Sequence, residues 1–518
     1  MRAWWWLGLP ALLVLTGVLA PLVYLVMRAS EADLAQAREL LFRARHLHLL
    51  INTALLSVGV LAVGTLIALP LAWLTTRSDL PGRGLLTLVG VLPLAVPGYV
   101  MAYALLAACG QQGTLAQLAG VHLPRPRGYW GALAALSLCT FPYLFLNLRG
   151  ALRGMDGGVE ESARSLGLPP WRVFCRVTLP QLRPAFQAGG LLVGLHVLGD
   201  FGVVSLMRYD TFSYALYLLY RNSYDRVYAA WLALLMLLIT GVLLLAEAHL
   251  LGRRLFHRTG TGTARPVGMV RLGWGGRVGA YTFAAVLALA SVIVPMGAII
   301  HWMIVGRAAH DWGDLARALG SSLSASAPAA GLTILLTLPL VYLSVRRPSR
   351  ATRALERIAY LGYATPPLAF ALGVIFFSLR AVPALYQTLT LLVLAYAVHF
   401  VAEAIGPIRS SLYQVSPRLE ETARSLRCGP AATFLRVTLP LIRGGLLTAL
   451  ALVFLSAMKE LPMTIMLAPL DFQTLATNLW DKTNEALFAQ AAPYALAITL
   501  VSSLLVAVLF WSQRQGVH

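Results

Sequence analysis

The chain has 518 residues, 58% of them hydrophobic and only 12% charged, with a formal net charge of +20. A soluble domain cannot bury that apolar fraction, so the composition excludes an ordinary globular protein and points to a bilayer. The charge does not argue for nucleic acid, because the cations sit in short loops between apolar runs; nearly all are Arg, with Lys459 and Lys482 the only lysines.

A spanning helix needs about 20 apolar residues, and about twelve such stretches are predicted, with no sign of the alternating segments of a barrel. The first half contains 5–27, 49–75, 85–108, 129–148, 185–207 and 228–251. The run at 5–27 is too long for a cleaved signal core and no clean cleavage site follows, so it reads as a retained span. The segment 28–48 mixes Arg38, Arg43 and Arg45 with Glu31, Asp33 and Glu39, which suits a short interfacial helix. The second half contains 278–304, 322–345, 358–379, 385–405, 445–467 and 489–511. Between the halves, 252–277 is rich in Gly, Arg and Thr and reads as a loosely ordered cytosolic linker. The expected organisation is therefore 1–251, linker 252–277, and 278–518.

Arg is concentrated in alternate loops, including Arg77, Arg83, Arg149, Arg153, Arg346, Arg347 and Arg350. The positive-inside tendency places these loops and both termini in the cytosol. The four cysteines, Cys109, Cys139, Cys175 and Cys428, show no metal or disulfide spacing.

One polar island occurs in each half. Residues 160–183 read EESARSLGLPPWRVFCRVTLPQLR, and 420–443 read EETARSLRCGPAATFLRVTLPLIR, aligned without a gap. Each predicts a helix, a turn, and a second amphipathic helix ended by Pro180 or Pro440. The carboxylates of Glu160, Glu161, Glu420 and Glu421 suit a helix N-terminus, and the arginines offer cations to a partner or to lipid headgroups. The repeat extends outward: Leu69-Pro70-Leu71 answers Leu338-Pro339-Leu340, and Val96-Pro97-Gly98 answers Thr365-Pro366-Pro367. An even number of spans separates the copies, so the repeat is parallel.

Glu161-Ser162-Ala163, Gly167 and Val177-Thr178-Leu179-Pro180 resemble the EAA motif of binding-protein-dependent ABC importer permeases. Glu421-Thr422-Ala423 and Val437-Thr438-Leu439-Pro440 repeat it. The resemblance implies an all-α polytopic membrane protein, two tandem type I (MetI-like) permease halves in the bacterial inner membrane. It implies that each island couples to a cytosolic ATPase. The residues implied are Glu160, Glu161, Ala163, Arg164, Gly167, Leu179 and Pro180, and Glu420, Glu421, Ala423, Arg424, Leu439 and Pro440. Arg427 replaces the motif glycine and leaves open a different second turn. No Gly-Lys dipeptide occurs, so the chain lacks a phosphate-binding loop. ATP would be bound by two copies of a partner ATPase, and cargo would come from a periplasmic binding protein. No catalytic residue and no cofactor is expected in this chain.

The stretches GDFGVVSLMRYDTFSYALY and MKELPMTIMLAPLDFQTLATNLW each follow an island by one span. They resemble fused ferric-iron permeases, although thiamine, phosphonate and polyamine permeases share the layout. Asp200 and Glu460 occupy equivalent positions, flanked by Phe201 and Lys459. Intramembrane carboxylates generally face a cavity or a partner. They either meet a hard cation directly or serve structure and gating through nearby Arg208 and Lys459; the sequence leaves both open, and any metal site stays unknown. A secondary transporter or a polytopic membrane enzyme is the remaining rival.

Overall fold

The computed structural model describes residues 5–31, 44–222, 226–251 and 268–515. Among them regular structure is helical, apart from one isolated bridge between Ser78 and Val270. The expected interfacial helix at 28–48 falls largely outside the described residues, as does 252–267 of the linker.

Seven helices are long and apolar enough to cross a bilayer: Gly8–Ala29, Ala44–Arg77, Gly128–Gly154, Arg226–Ala246, Trp274–Val305, Trp312–Arg346 and Phe488–Leu505. Four bent helix pairs raise the number to as many as 11. The remaining predicted span, 185–207, is instead the helix Arg183–Gly199, only 17 residues long before it breaks at Asp200, and the short helix Gly202–Leu206.

Two stretches read as straight spans are sharply bent. Arg83–Ala95 meets Gly98–Ala108 at 100°, and Arg350–Ala364 meets Pro367–Ala381 at 106°. The cause is local. A residue before proline is pushed out of the helical region, and Val96 and Thr365 are extended, with ψ of 113° and 124°. At such angles only one arm of each pair can run along the membrane normal. The arm Arg350–Ala364, which carries Arg350, Arg353, Glu356 and Arg357, is the one suited to lie across it.

Within each half the packing repeats. Ala44–Arg77 packs against Gly128–Gly154 and Arg183–Gly199. Trp312–Arg346 packs against Val401–Gln414 and Arg443–Met458 in the same way. Small residues permit the close approach that membrane helices need: a Cβ on Gly445 would lie 2.7 Å from the Pro407 carbonyl oxygen.

The first helix of each half, however, packs more on the other half than on its own. Trp5–Ala29 lies against Pro367–Ala381, Trp312–Arg346 and Arg350–Ala364. Reciprocally, Val294–Val305 packs on Gly98–Ala108, and Trp302 Nε1 donates to the Ala107 carbonyl at 3.0 Å.

The end of the linker is not loose. Val270 N donates to Arg77 O at 2.7 Å, and Asp79 N donates to Val270 O at 3.1 Å. Asp79 also accepts from Leu272 N at 2.9 Å and from Arg277 at 2.7 Å. Its carboxyl is held below the ordinary carboxylate range by these bonds, the Leu272 amide contributing most. The predicted disorder therefore does not extend to 268–277.

Candidate functional site

Both islands fold alike. The first begins with Asp156, whose side chain accepts from Gly158 N and caps Gly157–Ser165; the second begins at Ser416, with Pro417 opening Pro417–Ser425. Each helix closes through the same three backbone bonds. Leu166, Gly167 and Leu168 donate to Ser162, Arg164 and Ala163; Leu426, Arg427 and Cys428 donate to Thr422, Arg424 and Ala423. The closure needs a left-handed residue. Gly167 supplies it at φ 81°, and Arg427 adopts it at φ 62°. The second turn is thus the same as the first despite the missing glycine.

A second segment follows at once. It runs from Pro170 through a π-turn at Phe174–Thr178 to Gln181, and from Pro430 through Phe434–Thr438 to Leu441. Pro180 and Pro440 do not end these segments as the sequence suggested. The wider turn just before each, with Leu179 N reaching the carbonyl five residues back at Phe174, brings the chain to a proline that has no N–H to offer. The chain bends one residue later, by 74° in the second copy.

The paired glutamates divide their tasks. Glu160 and Glu420 are buried, while Glu161 and Glu421 are exposed. Glu160 accepts from Thr178 Oγ1 at 2.9 Å and pairs with Arg77 at 3.3 Å. Glu420 accepts from Thr438 at 3.1 Å, from Tyr342 at 3.0 Å and from Arg346 Nε at 3.0 Å. Arg164 and Arg424 approach the same carboxylates loosely, at 4.0 and 3.7 Å. Each buried carboxylate therefore ties the island's two arms to the end of a long spanning helix. Sequence reasoning missed Arg77, Thr178, Arg346 and Thr438 as its partners. Ala163 and Ala423 are buried beneath the helices, where a larger side chain would lift them.

The outer surface is mixed. Leu166 is 83% exposed and Leu426 75%, at the tips of the two turns. Glu161, Arg164 and Leu179 of the first copy, and Glu421, Arg424 and Pro440 of the second, are exposed too; Pro180 and Leu439 are half-buried. An apolar tip ringed by both charge signs is suited to dock a protein surface.

The second candidate region lies between the halves. Asp200 Oδ1 accepts from Val203 N at 2.9 Å and Val204 N at 3.3 Å, and Glu460 Oε1 accepts from Met463 N at 3.1 Å. Both carboxylates therefore cap short helices, Gly202–Leu206 and Pro462–Leu467. They are not spent on Arg208 and Lys459, the partners that the sequence suggested. Lys459 Nζ donates instead to Leu94 O of the other half at 3.3 Å. Phe201 is buried against Trp480 of the other half, with ring centroids 5.5 Å apart. Among the described residues no three His, Cys, Asp or Glu side chains converge as a metal site would require.

Sequence reasoning missed Glu403. It accepts from Ser456 Oγ at 2.8 Å, and its Oε2 has no partner among the described residues. At the islands' offset it matches Tyr143, while Ser456 matches His196. Tyr143 lies within electrostatic range of Glu403, and His196 within range of Lys459, each across the interface between halves. Glu403, Lys459, Asp200 and Glu460 are half-buried, and His196 is exposed. Tyr143 with Glu403, and His196 with Lys459, thus bring polar groups of the two halves together at their interface.

With this geometry in place, the chain matches the family described as binding-protein-dependent transport system inner membrane component, over residues 61–257 and 332–515. It is 33% identical over 506 residues to the Fe(3+)-transport system permease protein FbpB 2 of Haemophilus influenzae, covering 96% of each chain. It is 35% identical over 157 residues to the molybdenum transport system permease protein ModB of Escherichia coli, covering 29% of this chain and 69% of that one. The sulfate transport system permease protein CysW of the same organism is 28% identical over 205 residues, covering 39% of this chain and 70% of its own.

Proposed function

Since the chain belongs to the family of binding-protein-dependent transport system inner membrane components, we propose that it is the whole permease of an ATP-driven importer, with ferric iron as cargo. The observation that carries the reading is the duplicated island, two like docking tips on one chain, together with similarity along 96% of a ferric permease. A chain with two such tips suits two copies of a cytosolic ATPase. Glu161, Leu166 and Arg164 would meet one copy, and Glu421, Leu426 and Arg424 the other. Both termini and the linker would then be cytosolic, and ATP would be hydrolysed only in the partner. The opposite face would receive cargo from a periplasmic binding protein.

Mechanically, closure of the ATPases would draw the islands together. Glu160 and Glu420 would pass that displacement to Ala44–Arg77 and Trp312–Arg346. Those helices line the halves whose interface holds Asp200, Glu403, Lys459 and Glu460, so that interface would open alternately to each side. Capping by Asp200 and Glu460 favours a gating role for them over direct coordination of cargo.

Lys459 supports a second reading of the cargo as an oxyanion or a complexed, anionic form of iron, because a half-buried ammonium between membrane helices favours negative charge. Labelled Fe(III), molybdate, sulfate and thiamine uptake, measured in a deletion strain complemented with the chain and its partner subunits, separates these. Selective loss of iron uptake on deletion supports the proposal; unchanged iron uptake with lost uptake of another substrate overturns it.

A further inference from the structure

A cavity of about 610 Å³ opens beside the first island. Its walls come from four places: Leu69, Trp73 and Arg77 at the end of a spanning helix, Trp171 and Phe174 of the island, Val270 at the end of the linker, and Gly279 and Phe283 of the second half's first helix. The lining is apolar and aromatic except at one end, where Arg77, Arg164 and Glu160 stand.

Arg77 is almost wholly buried, yet among the described residues its Nε and Nη1 have no acceptor. Only its Nη2 is engaged, by Glu160 at 3.3 Å and Met155 Sδ at 3.5 Å. Unmet donors of a buried guanidinium are costly. The second half shows how the fold satisfies the same arginine when it can. Arg346, the repeat counterpart of Arg77, donates Nε to Glu420 and Nη2 to the Val415 carbonyl at 2.9 Å. Tyr342 there donates a hydroxyl to Glu420 and stacks edge-on with buried Phe434. At the matching position the first half has Trp73, which has no hydroxyl, and Phe174 is only partly buried. The first half thus leaves a space that its twin fills, and behind the wall of that space a buried arginine with unmet donors.

We infer that this cavity binds an anionic amphiphile: a phosphate ester that accepts from Arg164 and, once its guanidinium turns toward the cavity, from Arg77, with an acyl chain laid along Trp73 and Phe283. Two arginines against one glutamate leave the site one positive charge to match. Its place at the end of spanning helices is where membrane lipid is at hand, and basic pockets between helices are a known mode of headgroup capture. The volume is that of an ordinary small-molecule site. Because Arg77 also holds Glu160, occupancy would stiffen the joint between the first island and its helix, and the two islands would differ in lipid dependence.

The test uses the purified, delipidated full chain, titrated by native mass spectrometry with phosphatidylglycerol, phosphatidylcholine of the same chains, and glycerol 3-phosphate. One phosphatidylglycerol bound at least tenfold more tightly than phosphatidylcholine, with glycerol phosphate at least a hundredfold weaker, is expected. Gly279→Trp places an indole in the cavity from a position where a Cβ meets nothing within 4 Å, and should abolish that preference. Arg164→Gln removes an exposed charge and only a loose approach to Glu160 at 4.0 Å, and should weaken phosphatidylglycerol severalfold. Equal binding of the two lipids, or an unchanged preference in Gly279→Trp, overturns the proposal. Glycerol phosphate binding as tightly as the lipid would make this a free-phosphate site and overturns it equally.

Discussion

Arg427 occupies a left-handed position that Gly167 fills without steric cost in the first island. An L side chain there costs roughly 1–2 kcal/mol, and glycine's extra freedom in the unfolded chain returns about 0.5–1 kcal/mol of that. Arg427→Gly should therefore raise the thermal midpoint of the purified chain slightly, and Gly167→Arg should lower it. A neutral Gly167→Arg would show that the turn does not need this conformation. The adjacent glutamates separate stability from coupling. Glu420→Ala leaves Arg346 Nε and the Tyr342 hydroxyl without an acceptor in a buried site, a loss of about 3–5 kcal/mol, whereas exposed Glu421→Ala stays within about 0.5 kcal/mol. Glu421→Arg should keep the fold and the bound ATPase but abolish uptake; retained uptake would remove the docking role. Glu403 allows a third contrast at this scale. Glu403→Gln keeps the bond from Ser456 and discards a charge with no acidic counterpart in the first half, so folding should persist while transport falls severalfold. Wild-type uptake by this variant would leave Glu403 without a part in translocation.

Among the elements, the clamp at 268–277 has a pH signature. The Asp79 carboxyl is depressed in the folded chain by the Leu272 amide and the Arg277 guanidinium. A depressed carboxylate contributes stability above its unfolded value, ~3.9, and loses it as pH falls through the folded one. Hydrogen exchange at Val270 and Leu272 should therefore be slow from neutral pH down to about 4 and accelerate only below it, after correction for intrinsic exchange. Asp79→Asn should be faster already at pH 7. Equal rates in the two proteins at pH 7 would mean that the carboxylate does not hold the clamp. This clamp was not legible in a Gly-rich, Arg-rich stretch, because its bonds come from backbone amides that every sequence has. The islands were legible, because a polar segment between apolar runs must be helical and surface-lying, and its repetition fixed the register. The proline segments at 96–98 and 365–367 were recognised as repeat markers. Hydropathy ran straight through them, however, since apolar content does not change at a right-angle bend. Burial of Glu160 against exposure of Glu161 required knowing which face of the helix the membrane end covers. Glu403 escaped because its repeat counterpart is Tyr143, and a search for matched charges passes over an unmatched one.

At the scale of the whole molecule, the two halves are not separable blocks, since each lends its first helix to the other. Nothing in a parallel repeat distinguishes a helix packed on its own half from one packed on its twin; the apolar face is the same. The exchange matters mechanically. If the islands move with their halves, Trp5–Ala29 travels with the second half and drags the chain that leads to Ala44–Arg77 of the first. The two halves are then coupled on the outside of the bundle as well as at the central interface. A disulfide tests the arrangement directly. A Cβ built on Gly362 lies 3.7 Å from Val18 Cβ, inside the range of about 3.5–4.5 Å that a disulfide spans. In a chain freed of Cys109, Cys139, Cys175 and Cys428, with a protease site inserted within 252–267, Val18→Cys with Gly362→Cys should form a crosslink on mild oxidation. After cleavage the two halves should then migrate together without reductant and apart with it. A pair placed at Val18 and Tyr99, within the first half, should not join. Separation of the halves after oxidation of the first pair would place the first helix on its own half, and the mechanical link between islands would then rest on the central interface alone.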